Sequence, residues 1–424
     1  MNDSQAWTGS PDAAKARIAA EDRDAADPLA HFRDRFVIAD PSLIYLDGNS
    51  LGRLPKVTRD RLRTAVDDEW GAGLIRGWDT WIDVARRAGD VLASGVLDAA
   101  AGEVVLSDST SVNLYKLAAA ALDARTDRRV IITDDDNFPT DRYVLDGLAT
   151  ARGLELRVLR TDIDGGVDPA TVDAALDSEV ALVCLSHVAY RSGALADLVA
   201  ITAAAHRVGA LTLWDLSHSA GAVPVPLRRS GADLAVGCTY KYLNGGPGAP
   251  AFLFVRAGLQ AELRQPIWGW FGQRDQFGMG PGYDPVETID RFQVGTPSVL
   301  GAYGALEGAL ITAEAGVPAL AAKGAELTQY AIELNDAWLE GRGLALATPR
   351  DPGRRGAHVT FHHPHAWQIC QALKAANVLP DFRSPERLRI GLAPLYTRFV
   401  DVYDAMARLR TILATGSYTA FPAT

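Results

Sequence analysis

Residues 180–221 read VALVCLSHVAYRSGALADLVAITAAAHRVGALTLWDLSHSAG. The opening run Val180-Ala181-Leu182-Val183-Cys184-Leu185 is short, unbroken and rich in branched apolar side chains, which is how a strand buried on both faces reads. Ala196 to Val208 carries a helical pattern instead. Gly209, just past it, is a stop signal, because glycine accepts the left-handed conformation that ends a helix. Leu211-Thr212-Leu213-Trp214 then repeats the first pattern. Outward from this unit, Val130-Ile131-Ile132, Leu234-Ala235-Val236 and Ala251-Phe252-Leu253-Phe254-Val255 read as further buried strands. Strands alternating with helices predict an α/β chain with a mostly parallel sheet flanked by helices on both faces. Sites in such sheets gather at the carboxyl ends of the strands, so the loops after these runs are where chemistry is expected.

From about Ala302 the texture changes. Gly301 to Leu339 reads as one long helical connection, followed by a strand-like Ala357-His358-Val359-Thr360-Phe361, a helix from Trp367 and a strand near Leu388. The expected organisation is an N-terminal segment (residues 1–60), a large domain (61–305) and a smaller α+β domain (306–424). A chain of 424 residues exceeds the usual size of a single core, which fits that division.

Composition excludes some function classes. A net charge of -10 without a segregated basic patch argues against nucleic acid and anionic membrane as partners. Met1 to Asp27 lacks the apolar centre of a signal peptide, and no apolar run reaches membrane-spanning length. Cys184, Cys238 and Cys370 are odd in number and widely spaced, which suits a reducing compartment; a cytoplasmic protein is expected.

Candidate chemistry begins at Leu213-Trp214-Asp215-Leu216-Ser217-His218, where a strand runs into an acid and a histidine. Alone, Asp215 reads more readily as a helix cap. Lys241 changes that reading. It stands in CTYKYLNGGPG (Cys238 to Gly248), a few residues after the next apolar run and 26 positions beyond Asp215, so both side chains are expected at one sheet edge. A lysine there loses hydration, which frees its amine to attack a carbonyl. An Asp facing a ring nitrogen keeps that nitrogen protonated, and a Schiff-base lysine paired with such an acid is how proteins hold pyridoxal phosphate (PLP). A phosphate site is legible at Ser109-Thr110-Ser111, where hydroxyls cluster at the start of a helix running through Ala121. Phe138, in NFPTDRY, can lie on a flat ring.

Several signals carry less. Asp134-Asp135-Asp136 resembles a metal site, but consecutive carboxylates point in different directions from an extended chain. His358, His362, His363 and His365 crowd into HVTFHHPH without an obvious further ligand, and read as a solvated strand end. Gly245-Gly246-Pro247-Gly248 has neither dinucleotide nor P-loop spacing and reads as a turn letting backbone approach a cofactor edge.

Eight segments in order, YLDGNSLGRLP, WGAGLIRGW, DSTSVNLYK, NFPTDRY, WDLSHSAGAVPV, CTYKYLNGGPGAP, GWFG and LRIGLAPLYTRFVDVYD, together resemble the kynureninase family. The resemblance implies a PLP enzyme of the aspartate aminotransferase fold (fold type I) that hydrolyses L-kynurenine, or a ring-substituted kynurenine, to anthranilate and L-alanine. By it, Lys241 carries the cofactor and moves protons, Asp215 holds the pyridine nitrogen, and Tyr240 is an acid–base candidate that also reaches the phosphate. Thr110, Ser111, Phe138, Asp141, Ser186 and His218 complete cofactor binding. Trp270 and Thr296 match positions that a homodimer contributes across its interface. Arg389 matches the arginine for the substrate α-carboxylate, with Arg387 two positions earlier left open as an alternative; Ser50 and Trp78 match residues near the substrate. Trp78 and Thr296 replace the histidine and asparagine of animal members, a pattern resembling bacterial enzymes that prefer L-kynurenine to its 3-hydroxy form. No metal is expected. The rivals are a cysteine desulfurase-like lyase, an aminotransferase, and a PLP-binding protein without catalysis. The first needs a reactive cysteine on an exposed loop, whereas Cys370 shares a helical stripe with Trp367 and Leu373 that reads as core.

Overall fold

The structure, a computed structural model, describes residues 11–423. The chain opens with α1 (Pro11–Ala26) and β1 (Ile44–Tyr45). The α/β region then runs β2 (Val104–Leu106), α2 (Thr110–Asp123), β3 (Val130–Asp134), α3 (Pro139–Arg152), β4 (Glu155–Leu159), β5 (Val180–Ser186), α4 (Leu198–Arg207), β6 (Leu211–Asp215), β7 (Leu234–Gly237) and β8 (Phe252–Val255). After it come α5 (Val299–Ala315), α6 (Val317–Trp338), β9 (Ala345–Leu346), β10 (His358–His362), α7 (Ala366–Ala375), β11 (Val378–Leu379), β12 (Asp381–Arg383), β13 (Arg387–Gly391) and α8 (Phe399–Thr415).

Seven strands form one sheet in the order β2-β8-β7-β6-β5-β3-β4. The pairs among β4, β3, β5, β6 and β7 are parallel, and β8 runs against both of its neighbours. All five apolar runs are strands here. Val180 to Leu185 are at most 2% exposed, which is why their sequence never alternates. Each such side chain contributes about 1.5–3 kcal/mol on burial, so continuous apolar strands fix the centre of the sheet. Register places Ser186 opposite Asp215 and Asp215 opposite Val236, all at carboxyl ends.

A second, antiparallel sheet has the order β12-β13-β10-β9, and β1 pairs in parallel with β11. Val359, Phe361, Leu388 and Ile390 are buried in its core with residues of α6, α7 and α8. The helix α1 docks on this region. Asp24 accepts hydrogen bonds from the Phe399 and Val400 amides at 2.7 and 3.1 Å, satisfying the free N–H groups at the start of α8. Residues 1–10 of the N-terminal stretch read for a signal peptide lie outside the described residues.

The single long helix expected over Gly301–Leu339 is instead α5 and α6, bent by 82° at Gly316. Gly316 takes φ 78°, and Pro318 follows in the first turn of α6, where it starts a helix but cannot continue one. Among the described residues no single helix is long and apolar enough to cross a membrane.

Candidate active site

A cavity of about 530 Å³ opens at the carboxyl ends of the central strands. Its anion-binding end is the start of α2. Ser109 caps the helix, its hydroxyl accepting from the Val112 amide at 3.4 Å, and Thr110 and Ser111 face the cavity with the free amides of the first turn. Buried Lys116 braces the turn. Its ammonium bonds Ser107 Oγ (2.9 Å), Asp108 Oδ2 (2.6 Å) and the Phe292 carbonyl (2.8 Å), while Asp108 holds φ 44°. Burial pushes the Lys116 pKa down and Asp108 opposes the shift. Lys116→Met is expected to lower unfolding stability by about 3 kcal/mol, the lower end for breaking a buried pair, since the Asp108 side chain is 32% exposed. Denaturant melts check this; an unchanged midpoint would contradict the bracing role.

The far end holds two carboxyls. Asp141, in the first turn of α3, is 2% exposed, and burial, reinforced by the Asp215 charge and a hydrogen bond with it, pushes its pKa well up. The pair therefore shares a proton, held by Asp141. Asp215 Oδ1 also accepts from the Ser217 amide at 2.8 Å within the turn that follows β6; no helix starts there, so Asp215 is not a helix cap. Beside them Ser186 donates to Asn137 Oδ1 at 2.7 Å, and Asn137 Nδ2 is fixed by Thr133 Oγ1 and the Cys184 carbonyl.

Between the two ends stands Lys241. Its Nζ lies 3.0 Å from His218 Nε2 and 5.9 Å from the centroid of the Phe138 ring. Burial, with the charges of Lys241 and Arg389, drives the His218 pKa well below its usual value, so His218 is neutral. Tyr240 is held protonated, its pKa pushed up by Cys238 and by burial. Phe138 is 37% exposed, presenting its ring to open space, and meets Tyr190 edge-on at 5.3 Å. Thr296 and Gly248 line the remaining wall. Such a cavity can hold a planar ring with an anionic tail at one end and a protonated ring nitrogen at the other.

The YLDGNSLG motif acts as a bridge. The Gly52 amide donates to the Tyr240 carbonyl at 2.7 Å, and a Cβ on Gly52 would fall 2.4 Å from the Lys241 carbonyl oxygen, so only glycine allows this approach. The same loop brings Ser50 to Arg389. Arg389, 1% exposed, bonds Ser50 Oγ at 2.8 Å, Asp381 Oδ2 at 2.5 Å and the Tyr190 carbonyl at 2.5 Å. Arg387 turns instead to Asp164.

Ser50, Arg389, Trp78 and Trp270 are absent from the described residues lining the cavity. Ser50 and Arg389 form a cluster joined to it through Tyr190. Trp78 and Trp270 both pack on Phe271, at 6.3 and 4.5 Å between ring centroids. Sequence reading missed Asn137, Tyr190, Asp381 and Lys116. Asn137 and Lys116 lay inside quoted motifs; Asp381 carried no signal, because its partner is set by the register of β12 on β13.

The Asp134–Asp136 run disperses: Asp134 accepts from the Asp136 amide, Asp135 from the Thr161 amide, and Asp136 pairs with Arg191. The histidine cluster corrects the sequence reading. His358 is fully buried and His363 nearly so, whereas His362, half-buried and paired with Glu386 at 2.9 Å, and the exposed His365 fit the solvated end expected. The reason is that β10 lies between β13 and β9, so its first residues are interior. Among the described residues no three His, Cys, Asp or Glu side chains converge as metal ligands.

Comparison with known proteins matches this geometry to a family. Residues 320–409 match the kynureninase C-terminal domain. Kynureninase of Burkholderia pseudomallei (strain K96243) is 44% identical over 407 residues, covering 94% of this chain and 95% of that one. Among solved structures, the apo cysteine desulfurase of Thermococcus onnurineus NA1 superposes with a TM-score of 0.77 at 20% identity, covering 93% of this chain and 98% of that chain. C-DES, solved with glycine covalently linked to its PLP cofactor, gives 0.76 at 16% identity over 87% and 97%. The solved structures establish the fold, that of fold type I PLP enzymes. Identity at that level over nearly the whole of both chains settles the narrower question, and the chain belongs to the kynureninase family.

Proposed function

We propose that the chain binds PLP and hydrolyses the β,γ carbon–carbon bond of L-kynurenine, or of a ring-substituted kynurenine, giving anthranilate and L-alanine. The observation that carries this reading is the 44% identity to kynureninase over 94% of the chain, on a cavity lined by Lys241 and Asp215 with Arg389 joined to it through Tyr190. The residues present fit the cofactor. Two hydroxyls at a helix start suit a phosphate, an aromatic face suits a ring, and the Asp141–Asp215 pair suits a protonated pyridine nitrogen. The buried Asp141 Oδ2, without a hydrogen-bond partner among the described residues, shows a polar group of this cavity that the protein alone does not satisfy.

When bound, PLP acts as the electron sink for chemistry at the substrate α- and β-carbons. The protein supplies the rest. Lys241 carries the cofactor and, once displaced by the substrate amine, is the base that takes the α-proton. Asp215 keeps the ring nitrogen protonated. Arg389 grips the α-carboxylate with its planar fork. Water adds to the γ-carbonyl, and the bond to the β-carbon then breaks. Tyr240, a neutral phenol beside Lys241, donates and recovers a proton during these steps. Tyr240→Phe is expected to keep its cofactor and lose about 100-fold in kcat, the low end for a positioned acid–base group; unchanged turnover would end that assignment.

Against a desulfurase, all three cysteines are free and buried, and the Cys370 thiol points at the Pro380 carbonyl rather than into a loop. The same buried thiols support a reducing, cytoplasmic compartment. A homodimer accounts for Trp270 packing away from the cavity of its own chain. The deciding experiment adds L-kynurenine to the purified holoenzyme and follows anthranilate fluorescence beside an α-keto acid assay; keto acid without anthranilate would replace this reading by an aminotransferase. With Trp78 and Thr296 as they are, kcat/KM is expected to be higher for L-kynurenine than for 3-hydroxykynurenine, and the reverse order would overturn that specificity.

A further inference from the structure

His358 has no place in the chemistry above, yet it stands directly behind it. Its ring is fully buried and lies 5.3 Å, centroid to centroid, from that of His218, whose Nε2 is 3.0 Å from Lys241 Nζ. Three imidazole nitrogens in this pair, His218 Nδ1 and both of His358, are buried without a well-aligned hydrogen bond among the described residues. One side of the His358 ring faces the Ala189 carbonyl. Gly193, at φ 76°, lets the turn after Ala189 close over the ring, since a Cβ there would sit 2.7 Å from the His358 carbonyl oxygen and 3.1 Å from Nε2. The turn and strand β10 thus enclose an imidazole beside that of His218.

Buried polar nitrogens are costly when left without partners, so a pair with three of them calls for an arrangement that uses them. One arrangement satisfies every group. The Lys241 amine donates to His218 Nε2, His218 Nδ1–H donates to the bare nitrogen of His358, and the other His358 nitrogen donates to the Ala189 carbonyl. It needs both rings neutral. The charged groups around them are Lys241, Arg389 and Arg383, all cations, and these act with burial to hold both pKa values well below the usual range.

We propose that His358 is a positioning residue that acts through His218: by accepting the His218 Nδ1 proton it fixes the tautomer whose bare Nε2 orients the Lys241 amine. The partner of one ring nitrogen sets what the other can do, as for histidines held behind a reacting centre. The inference rests on the reading of Lys241 as the cofactor-bearing lysine.

The test uses PLP-loaded holoenzyme carrying His358→Phe, which fills the site without a nitrogen, and His358→Gln, which restores an acceptor. His358→Met, whose flexible side chain also fills the site, is the second apolar variant should the first fold poorly. The visible absorbance of the Lys241-bound cofactor is titrated from neutral to alkaline pH without substrate, and kcat and KM are then measured with L-kynurenine. The apolar variants are expected to shift the spectral midpoint by about one unit. They should lose roughly 10- to 100-fold in kcat with little change in KM, and His358→Gln should recover most of both. A wild-type midpoint and kcat in the apolar variants would overturn the proposal, as would equal losses in the Phe and Gln variants, the result expected of packing alone. The titration requires no kynurenine, so a wild-type midpoint in an enzyme that cleaves kynurenine normally would overturn this proposal alone.

Discussion

Lys241→Ala is expected to abolish both the visible absorbance of the holoenzyme and the formation of anthranilate from L-kynurenine. Two losses combine. The covalent tether to the cofactor disappears, so PLP is held only by the start of α2, the Asp141–Asp215 pair and the face of Phe138, and dialysis removes it. The proton-transfer group disappears as well, which by itself lowers the rate by about 10²- to 10⁴-fold. Because Lys241 Nζ is hydrogen-bonded to His218 and lines an open cavity, the substitution removes no core packing and the variant is expected to fold. Unfolding stability without cofactor should match that of the wild-type apoprotein. A Lys241→Ala protein that stays yellow through dialysis and still yields anthranilate would show that the reactive lysine is elsewhere.

How Lys241 could be found in the sequence, and what could not, follows from the kind of order each residue depends on. The five central strands were legible because burial on both faces leaves them mostly apolar, with Thr133, Thr212 and the residues at their carboxyl ends as the polar exceptions. The edge strands β2 and β4 were not, since β2 is three residues long and β4 carries Glu155 and Arg157 on a partly exposed edge. Asp215 and Lys241 could be paired across 26 residues because each follows its own strand, and parallel strands put such positions at one edge. The phosphate turn was legible from its three hydroxyls, but Lys116, which anchors it, is nine residues from Ser107 and looks like any surface lysine on a helix. His358 was misread for the opposite reason: neighbouring His362, His363 and His365 made it look like part of a polar strand end, and only the position of β10 between two other strands shows it to be interior. Tyr242, without an evident role in the sequence, is core, packed with Ala222, Ile311 and Tyr396. Trp78 and Trp270 meet over Phe271, a contact between segments almost 200 residues apart that no local pattern encodes.

The two arginines of RLRIG were indistinguishable by pattern, because positions two apart on a strand share a face. The structure separates them by neighbourhood, Arg389 beside Ser50 and the cavity-lining Tyr190 and Arg387 on Asp164, and the role proposed for Arg389 gives an expected result of similar size to the first. A carboxylate gripped by a guanidinium gains two charge-assisted hydrogen bonds, each worth about 1.5–3 kcal/mol. Arg389→Ala removes both, so kcat/KM for L-kynurenine should fall by roughly 10²- to 10⁴-fold. Arg389→Lys keeps the charge and one bond, and its loss should be roughly 10- to 150-fold. The loss should appear mainly in KM, because the α-carboxylate is bound alike before and during bond cleavage. The lysine variant also guards against a trivial cause. Arg389 is almost wholly buried against Asp381, and alanine there strands that carboxylate, whereas lysine still neutralises it. Arg387→Lys, at a side chain paired with Asp164 and away from Ser50 and Tyr190, should leave KM unchanged. A rise in KM confined to Arg387→Lys would reassign the carboxylate to that residue. A rise shared equally by both lysine variants would mean that the strand β13, rather than one guanidinium, sets the position of the substrate.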